Sequence, residues 1–221
     1  MKIAVITGTT SGLGKAIAKE LKESGWFTIG ISRGKDEICN ESYILNLDNP
    51  KNYVGLLDDI IKEYKKIDAL INNAGYLELK NYGIDEYQEY KRLMRVNLDS
   101  VYFGTWKVCQ QKEKCYVVNV ASVSGIRADP DTVAYGMTKA GVISLTKSFA
   151  KLYPRHRINS ISPGFFRTNL VPGTLPDELF NTIPIEREGK PIEIGKLVKY
   201  IIEEGDYFTG HNFIIDGGCG L

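Results

Sequence analysis

Residues 2–14 read KIAVITGTTSGLG. The apolar run 2–7 has the character of a buried parallel strand, and Leu13, Ala16, Ile17 and Leu21 then recur at helical spacing over 12–24, with Gly25 as a stop signal. Between them lies a turn containing Gly8, Gly12 and Gly14. Glycines there permit a tight turn, close approach of the backbone to a pyrophosphate, and close contact between helix and strand. The helix N-terminus adds free N–H groups and a partial positive charge. The G-x-x-x-G-x-G spacing differs from G-x-G-x-x-G. No Gly-Lys-Ser/Thr follows, which disfavours nucleoside triphosphate hydrolysis.

The alternation continues outward. Strands are expected at 26–31, 43–45, 67–72, 115–121, 157–161 and 211–216. Helices are expected at 50–65, about 84–112, about 133–153 and near 191–203, the first with Asn49 as cap and Pro50 in its first turn. This order predicts an α/β fold, a Rossmann-like doubly wound parallel sheet of seven strands with helices on both faces. Only residues 32–42 separate the second and third strands, so the helix there is expected to be reduced or absent. Residues 1–221 read as one dinucleotide-binding domain, with a substrate loop at about 168–190.

Composition narrows the function. The 221 residues are 43% hydrophobic and 25% charged, with a formal net charge of +1. That balance disfavours bulk electrostatic binding to nucleic acid or an anionic membrane, and no apolar run approaches the roughly 18 residues of a membrane span. Cys39, Cys109, Cys115 and Cys219 form no C-x-x-C pair, His156 and His211 have no metal-ligand company, and no leader-like segment opens the chain. A cytoplasmic protein with free thiols and no metal is the expectation.

The second strand ends at Ile31-Ser32-Arg33. A carboxylate at this place would bond the free ribose 2′-hydroxyl of NAD, whereas Arg33 suits a 2′-phosphate. NADP(H) is therefore favoured over NAD(H), with Asp36 or Glu37 as carboxylates that could fold back towards the ribose. Further on, Tyr135 and Lys139 stand one helical turn apart, thirteen and seventeen residues after Ser122. An ammonium beside a phenol lowers a pKa that is ordinarily about 10, making the phenol an acid–base near neutrality.

With the Thr7–Gly14 segment, Asn72-Asn73-Ala74-Gly75, Asn97, Ser122, Tyr135, Lys139 and Pro163-Gly164 in this order and at these intervals, the chain resembles the short-chain dehydrogenase/reductase family nearly end to end. The closing Tyr207-Phe208-Thr209-Gly210 and Ile215-Asp216-Gly217-Gly218 look like that family's last strand. The resemblance implies hydride transfer between a nicotinamide and a carbonyl or secondary alcohol. Tyr135 would protonate the carbonyl oxygen, Lys139 would lower its pKa and bind the nicotinamide ribose, and Ser122 would hold the substrate oxygen. Asn97 would kink the long helix and anchor a relay water. Gly8, Thr10, Ser11, Gly12, Leu13, Gly14, Ser32, Arg33, Asn46, Leu47, Asn73, Ala74, Gly75, Phe166 and Thr168 would contact the cofactor, together with Tyr135 and Lys139. The 3-oxoacyl-(acyl-carrier-protein) reductases are the similar members considered second. A non-catalytic NADP(H)-binding regulator is the reading from another class.

Pro172-Gly173, Pro176 and Pro184, with Leu170, Val171, Leu175, Leu179 and Phe180, suggest either a lid or a small helix seated on the domain. Arg127, Asp129 and Asp131 read first as solvated turn residues and second as selectors of a polar substrate. Lys151, Arg155, His156 and Arg157 could dock an acidic carrier, although pairing with a helix C-terminus is preferred. The family's usual homodimer or homotetramer would use the helices at 84–112 and 133–153. Val101, Tyr102, Phe103, Trp106, Met137, Val142 and Phe149 supply the apolar material there.

Overall fold

In the computed structural model, residues 1–78, 80–168 and 177–220 are described. They form one all-parallel sheet of seven strands: β1 (Ile3–Thr7), β2 (Phe27–Ser32), β3 (Glu41–Ile44), β4 (Ala69–Asn72), β5 (Tyr116–Val120), β6 (Arg157–Pro163) and β7 (Asn212–Ile215). Their spatial order is β3-β2-β1-β4-β5-β6-β7. The chain winds outward from β1 through β2 to β3, then returns to β4 on the other side of β1. The β1–β4 junction is thus the topological switch point, where a doubly wound sheet opens a ligand crevice.

Helices α1 (Gly12–Glu23), α2 (Pro50–Tyr64), α3 (Tyr87–Met94), α4 (Ser100–Val108), α5 (Val133–Leu152), α6 (Asp177–Phe180) and α7 (Pro191–Glu203) cover the sheet. One core joins β1, β4, β5 and β6 to α1 and α7 through Ile6, Ile17, Leu21, Ile71, Ile194 and Val198. The other face carries α2, α4 and α5, with Tyr53, Leu57, Ile60, Val108 and Phe149 buried. Two cores on opposite faces account for strands that are apolar throughout rather than alternating.

Most boundaries fall within a few residues of expectation. Asn49 caps α2 through Oδ1 to the Lys51 N–H, and Pro50 opens the helix. The helix expected over 84–112 is instead composite. It begins with a 3₁₀ turn, Ile84–Glu86, runs through α3, widens into a π-helical turn at Arg95–Asp99, and ends with α4 at Val108. An inserted π turn is a recognised cause of a kink, and Asn97 lies inside it.

No helix lies between β2 and β3. The crossover at residues 33–40 is held by polar contacts. Asp36 Oδ1 accepts from the Ile38 N–H at 2.6 Å, Asn40 Oδ1 accepts from the Thr28 N–H and hydroxyl at 3.0 Å, and Lys22 donates to the Ile38 carbonyl at 2.7 Å. The Asp36 carboxylate is buried over Gly30, where a Cβ would meet Asp36 Oδ2 at 2.5 Å, Thr9 Oγ1 at 2.7 Å and Cys39 Sγ at 3.1 Å. Gly30→Ala should therefore lose about 1–3 kcal/mol in urea unfolding, by overpacking. Gly34→Ala, whose added Cβ meets nothing within 4 Å, should change little; equal effects would show that the Asp36 contact does not limit this site.

Candidate active site

The carboxyl ends of β1 and β4 are tied together by side chains from both strands. Thr7 Oγ1 accepts from the N–H groups of Asn73 at 3.0 Å and Ala74 at 2.9 Å, and Asn73 Nδ2 donates back to the Thr7 carbonyl at 2.9 Å. The glycine turn rests on this junction. Gly8 has φ 76, and a Cβ on Gly14 would lie 2.1 Å from the Gly8 carbonyl oxygen and 2.4 Å from Asn73 Nδ2. No larger residue fits where α1 leaves the turn. Ser11 makes no side-chain cap, so the first N–H groups of α1 remain available to an anion.

A cavity of about 1100 Å³ runs from this turn across the carboxyl ends of the strands. Gly8, Thr10, Ser11, Gly12, Leu13, Ser32, Arg33, Asn46 and Leu47 line one end. Asn73, Ala74 and Gly75 lie along it, Ser122, Tyr135 and Lys139 line the other end, and Phe166 and Thr168 also form part of its wall. Of the residues expected at the site, only Gly14 and Asn97 do not reach the cavity surface, and each lies directly behind it. Thr168 comes over the glycine turn: a Cβ on Gly12 would touch its Cβ at 3.3 Å. Leu170, Val171, Pro172, Gly173, Leu175 and Pro176 of the expected substrate loop lie outside the described residues. Its return end is anchored, with Gly189 donating to the Phe165 carbonyl at 2.8 Å and Glu188 pairing with Arg167 at 2.9 Å.

At the adenosine end, the Ser32 hydroxyl accepts from the Thr9 N–H at 2.8 Å and so positions the turn. Arg33 is exposed on the cavity wall. Asp36, one of the two carboxylates that might have reached a ribose, is instead turned into the fold. Burial raises its pKa, but the Thr9 hydroxyl, the N–H groups of Ile38 and Cys39, and the Cys39 thiol leave it below the ordinary carboxyl value.

At the other end, Ser122 follows β5 and starts a 3₁₀ turn, its Oγ accepting from the Ser124 N–H at 3.1 Å. That turn lies against α5 one helical turn beyond Tyr135: a Cβ on Gly125 would sit 2.6 Å from the Lys139 carbonyl carbon. Tyr135 and Lys139 are both buried. The Lys139 ammonium donates to the Val120 carbonyl at 2.9 Å and sits 5.5 Å from the Tyr135 ring centroid. Gly75 brings the remaining parts together, since a Cβ there would lie 3.1 Å from Asn97 Oδ1 and 3.5 Å from Lys139 Nζ. The Asn97 side chain clamps the Tyr76 backbone, accepting from its N–H at 3.0 Å and donating to its carbonyl at 2.8 Å.

One electrostatic expectation is reversed. The Tyr135 phenol is pushed up to about 12 by burial, with the Ser122 hydroxyl acting in the opposite direction. Burial also brings Lys139 down to about 8. For both groups the largest cause is desolvation by burial.

Two contributors escaped sequence reading. Asn119 on β5 accepts from Asn72 Nδ2 at 2.8 Å and donates to the Thr146 hydroxyl on α5 at 3.0 Å, so it links β4 to the helix that carries Tyr135. Tyr76, Asn81 and Arg92 join the cavity wall. Neither group carries a motif, and both are found only once the strands are aligned.

Residues 2–178 match the short chain dehydrogenase family. The chain belongs to that family. It is an oxidoreductase of the NAD(P)-binding type, acting on alcohol or ketone groups. It is 30% identical to the 3-oxoacyl-(acyl-carrier-protein) reductase FabG of Thermotoga maritima, across 98% of this chain and 97% of that protein. It is 29% identical to cyclopentanol dehydrogenase of a Comamonas species, across 98% and 96%. A 4-hydroxyisoleucine dehydrogenase complexed with NADH superposes with a TM-score of 0.90 at 31% identity, covering 99% of this chain and 98% of that one. Among the described residues, no helix is long and apolar enough to cross a membrane.

Because Lys139 falls from the ordinary 10.5 to about 8 in the fold, the unfolded chain holds this proton more tightly between those values. Stability carried by Lys139 therefore rises with pH across that window, by about 2 kcal/mol between pH 7 and 9.5. Lys139→Met should lack that rise. Urea unfolding of both proteins at the two pH values measures the difference, and parallel curves would show Lys139 to be normally solvated.

Proposed function

We propose that this chain is an NADP(H)-dependent reductase or dehydrogenase interconverting a carbonyl and a secondary alcohol. The observation that carries the reading is the convergence of Ser122, Tyr135 and Lys139 at one end of a cavity whose other end is a glycine turn over an uncapped helix N-terminus. The residues fit a dinucleotide. Gly8, Gly12 and Gly14 let backbone approach a pyrophosphate where any Cβ at Gly14 would collide with the turn. Thr10, Ser11, Leu13 and Thr168 are placed to flank the phosphates. Leu47 and Asn46 suit the adenine, and Asn73, Ala74 and Gly75 the adjoining ribose.

Nicotinamide, when bound, supplies or accepts hydride. The protein's share is positioning and a proton. Ser122 and Tyr135 hold the carbonyl oxygen between two hydroxyls, and the phenol, protonated at neutral pH, is in the form that gives its proton to that oxygen during reduction. Lys139, held on Val120, is placed for the nicotinamide ribose. Asn97 acts as a clamp that fixes Tyr76 beside Gly75.

The NADP(H) preference rests on Arg33 being exposed on the cavity while the Asp36 carboxylate is buried away from it. NADH in the 4-hydroxyisoleucine dehydrogenase structure is the observation on the other side. The carrier-protein reading has the Thermotoga maritima relative in its favour. Against it, the basic cluster is dispersed. Arg155 donates to the Lys112 carbonyl, Arg157 to Asp206 and Pro154, and His156 is buried, accepting from the Cys115 N–H. Tyr102, Phe103, Trp106 and Met137 are exposed on α4 and α5, which supports a homodimer or homotetramer through those helices.

Tyr135→Phe should bind cofactor as tightly as wild type, yet lose at least about 100-fold in turnover. Unchanged turnover would remove the acid–base role. In fluorescence titrations NADPH should bind more tightly than NADH, and Arg33→Ala should weaken NADPH alone, by about tenfold. Tighter NADH binding by the wild type would overturn the preference.

A further inference from the structure

Several charged side chains at the substrate end of the cavity are bonded within the fold, while Asp131 stands exposed on its wall. Asp129 is consumed by the Asp131 N–H at 3.0 Å and the Thr132 hydroxyl at 2.7 Å, where α5 begins. Glu188 pairs with Arg167, and Lys80 pairs with Glu78 at 3.3 Å and Glu86 at 3.0 Å. Arg92 is exposed and lies over the Tyr76 ring, 5.8 Å from its centroid.

Arg127 stands apart. It lines the cavity with Ser122 and Tyr135, and it is half-buried. Its guanidinium lies over the Phe165 ring, 6.0 Å from the centroid, and Nη1 donates to the Cys219 carbonyl. No carboxylate among the described residues lies within 4.0 Å of it. A guanidinium has five N–H donors, and one is accounted for. The head is also fixed in place. The Arg127 backbone N–H bonds the Val123 carbonyl at 3.0 Å, which ties the base of this side chain to the turn that Ser122 starts. On the other side, the Asp216 carboxylate accepts from Gly218 at 3.0 Å and Gly220 at 2.8 Å, folding the C-terminal segment so that Cys219 presents its carbonyl. A solvated turn arginine has none of these restraints. A half-buried, oriented guanidinium without a counterion is half of a bidentate pair.

We propose that the substrate carries a carboxylate and that Arg127 binds it, orienting the substrate's carbonyl or hydroxyl carbon towards Ser122 and Tyr135. This rests on reading the cavity as a hydride-transfer site. A carboxylate matches the single charge of the Arg127 guanidinium better than a phosphate dianion does. The neutral thioester of a 3-oxoacyl substrate would leave Arg127 without its partner.

The test compares free oxo acids of increasing chain length with their methyl esters, a phosphorylated ketone and neutral ketones, using the full chain and whichever nicotinamide cofactor it binds. The best acid should exceed its ester by about tenfold or more in kcat/KM. Arg127→Gln should remove about 10- to 100-fold for the acid, mostly through KM, and leave the ester within about twofold. Arg127→Lys should recover part of that loss. In the wild type, simple carboxylates should compete with a neutral ketone where their amides do not; this measurement requires no variant to fold. Equal use of acid and ester, equal loss of both in Arg127→Gln, or preference for the phosphorylated ketone would each overturn the proposal. Tyr135-dependent turnover of neutral ketones without any acid preference would sink it and leave the hydride-transfer reading standing. Cofactor binding with no carbonyl turned over would remove both.

Discussion

The hydroxyl of Thr7 is the joint on which the site depends. A parallel sheet wound in two directions must part its crossovers at one junction, here β1 with β4, and the crevice that results is useful only if its width is held. Thr7 sets that width by accepting two successive N–H groups from the neighbouring strand's end, while Asn73 returns a hydrogen bond to the Thr7 carbonyl. The same asparagine amide closes over the position where Gly14 lets α1 touch the glycine turn. Strand pairing, turn conformation and the direction of the α1 N-terminus are therefore coupled through a few buried polar atoms. An unpaired group among them would cost on the order of 1–3 kcal/mol, so the arrangement is held as a unit.

A second polar chain performs the corresponding task for the reacting end. Tyr53 on α2 donates to Asn72 at 3.0 Å, Asn72 to Asn119 at 2.8 Å, Asn119 to Thr146 at 3.0 Å, and Thr146 to the Val142 carbonyl at 2.8 Å. It runs from α2 across β4 and β5 into α5, fixing that helix along its axis relative to the strand that ends at Ser122. Apolar contacts alone tolerate small slides, whereas directional bonds in a dry interior do not. The proposed proton transfer needs hydroxyls placed to a fraction of an ångström, and this chain of bonds would supply that constraint.

Local pattern carried the fold and the spacing of the site. The apolar runs, the glycine turn, Asn49-Pro50 and the short interval after Ser32 all act through neighbours in sequence, so the alternation of strands and helices along the chain and the missing helix could be read from them. A kink at Asn97 followed from the family resemblance, but the π form of the turn at Arg95–Asp99 did not, since its Asn97 side chain is bonded to Tyr76, twenty-one residues away. The Tyr135 proton affinity was read in the wrong direction for a similar reason. The Tyr135–Lys139 spacing reveals a neighbouring charge, but desolvation depends on β5, the Ser122 turn and α5 closing together. Asn119 has no motif, and Arg127 was legible only as a turn residue or a selector of a polar substrate; the contacts of both depend on what lies opposite them.

The short crossover after β2 shows how a lost element can be replaced. Without a helix between β2 and β3, the chain turns Asp36 inward over Gly30. A buried carboxylate is a costly plug, and it is tolerable only because backbone N–H groups of Ile38 and Cys39 converge on it. Its Oδ2 and Thr9 Oγ1 both crowd the space above Gly30, and Thr9 is bonded to Ser32, the residue before Arg33. The group that closes the fold at this edge is thereby in contact with the turn that would hold phosphate and with the strand end that would select the ribose. Here the carboxylate is committed to the fold, and the cavity wall beside it is left to a cation.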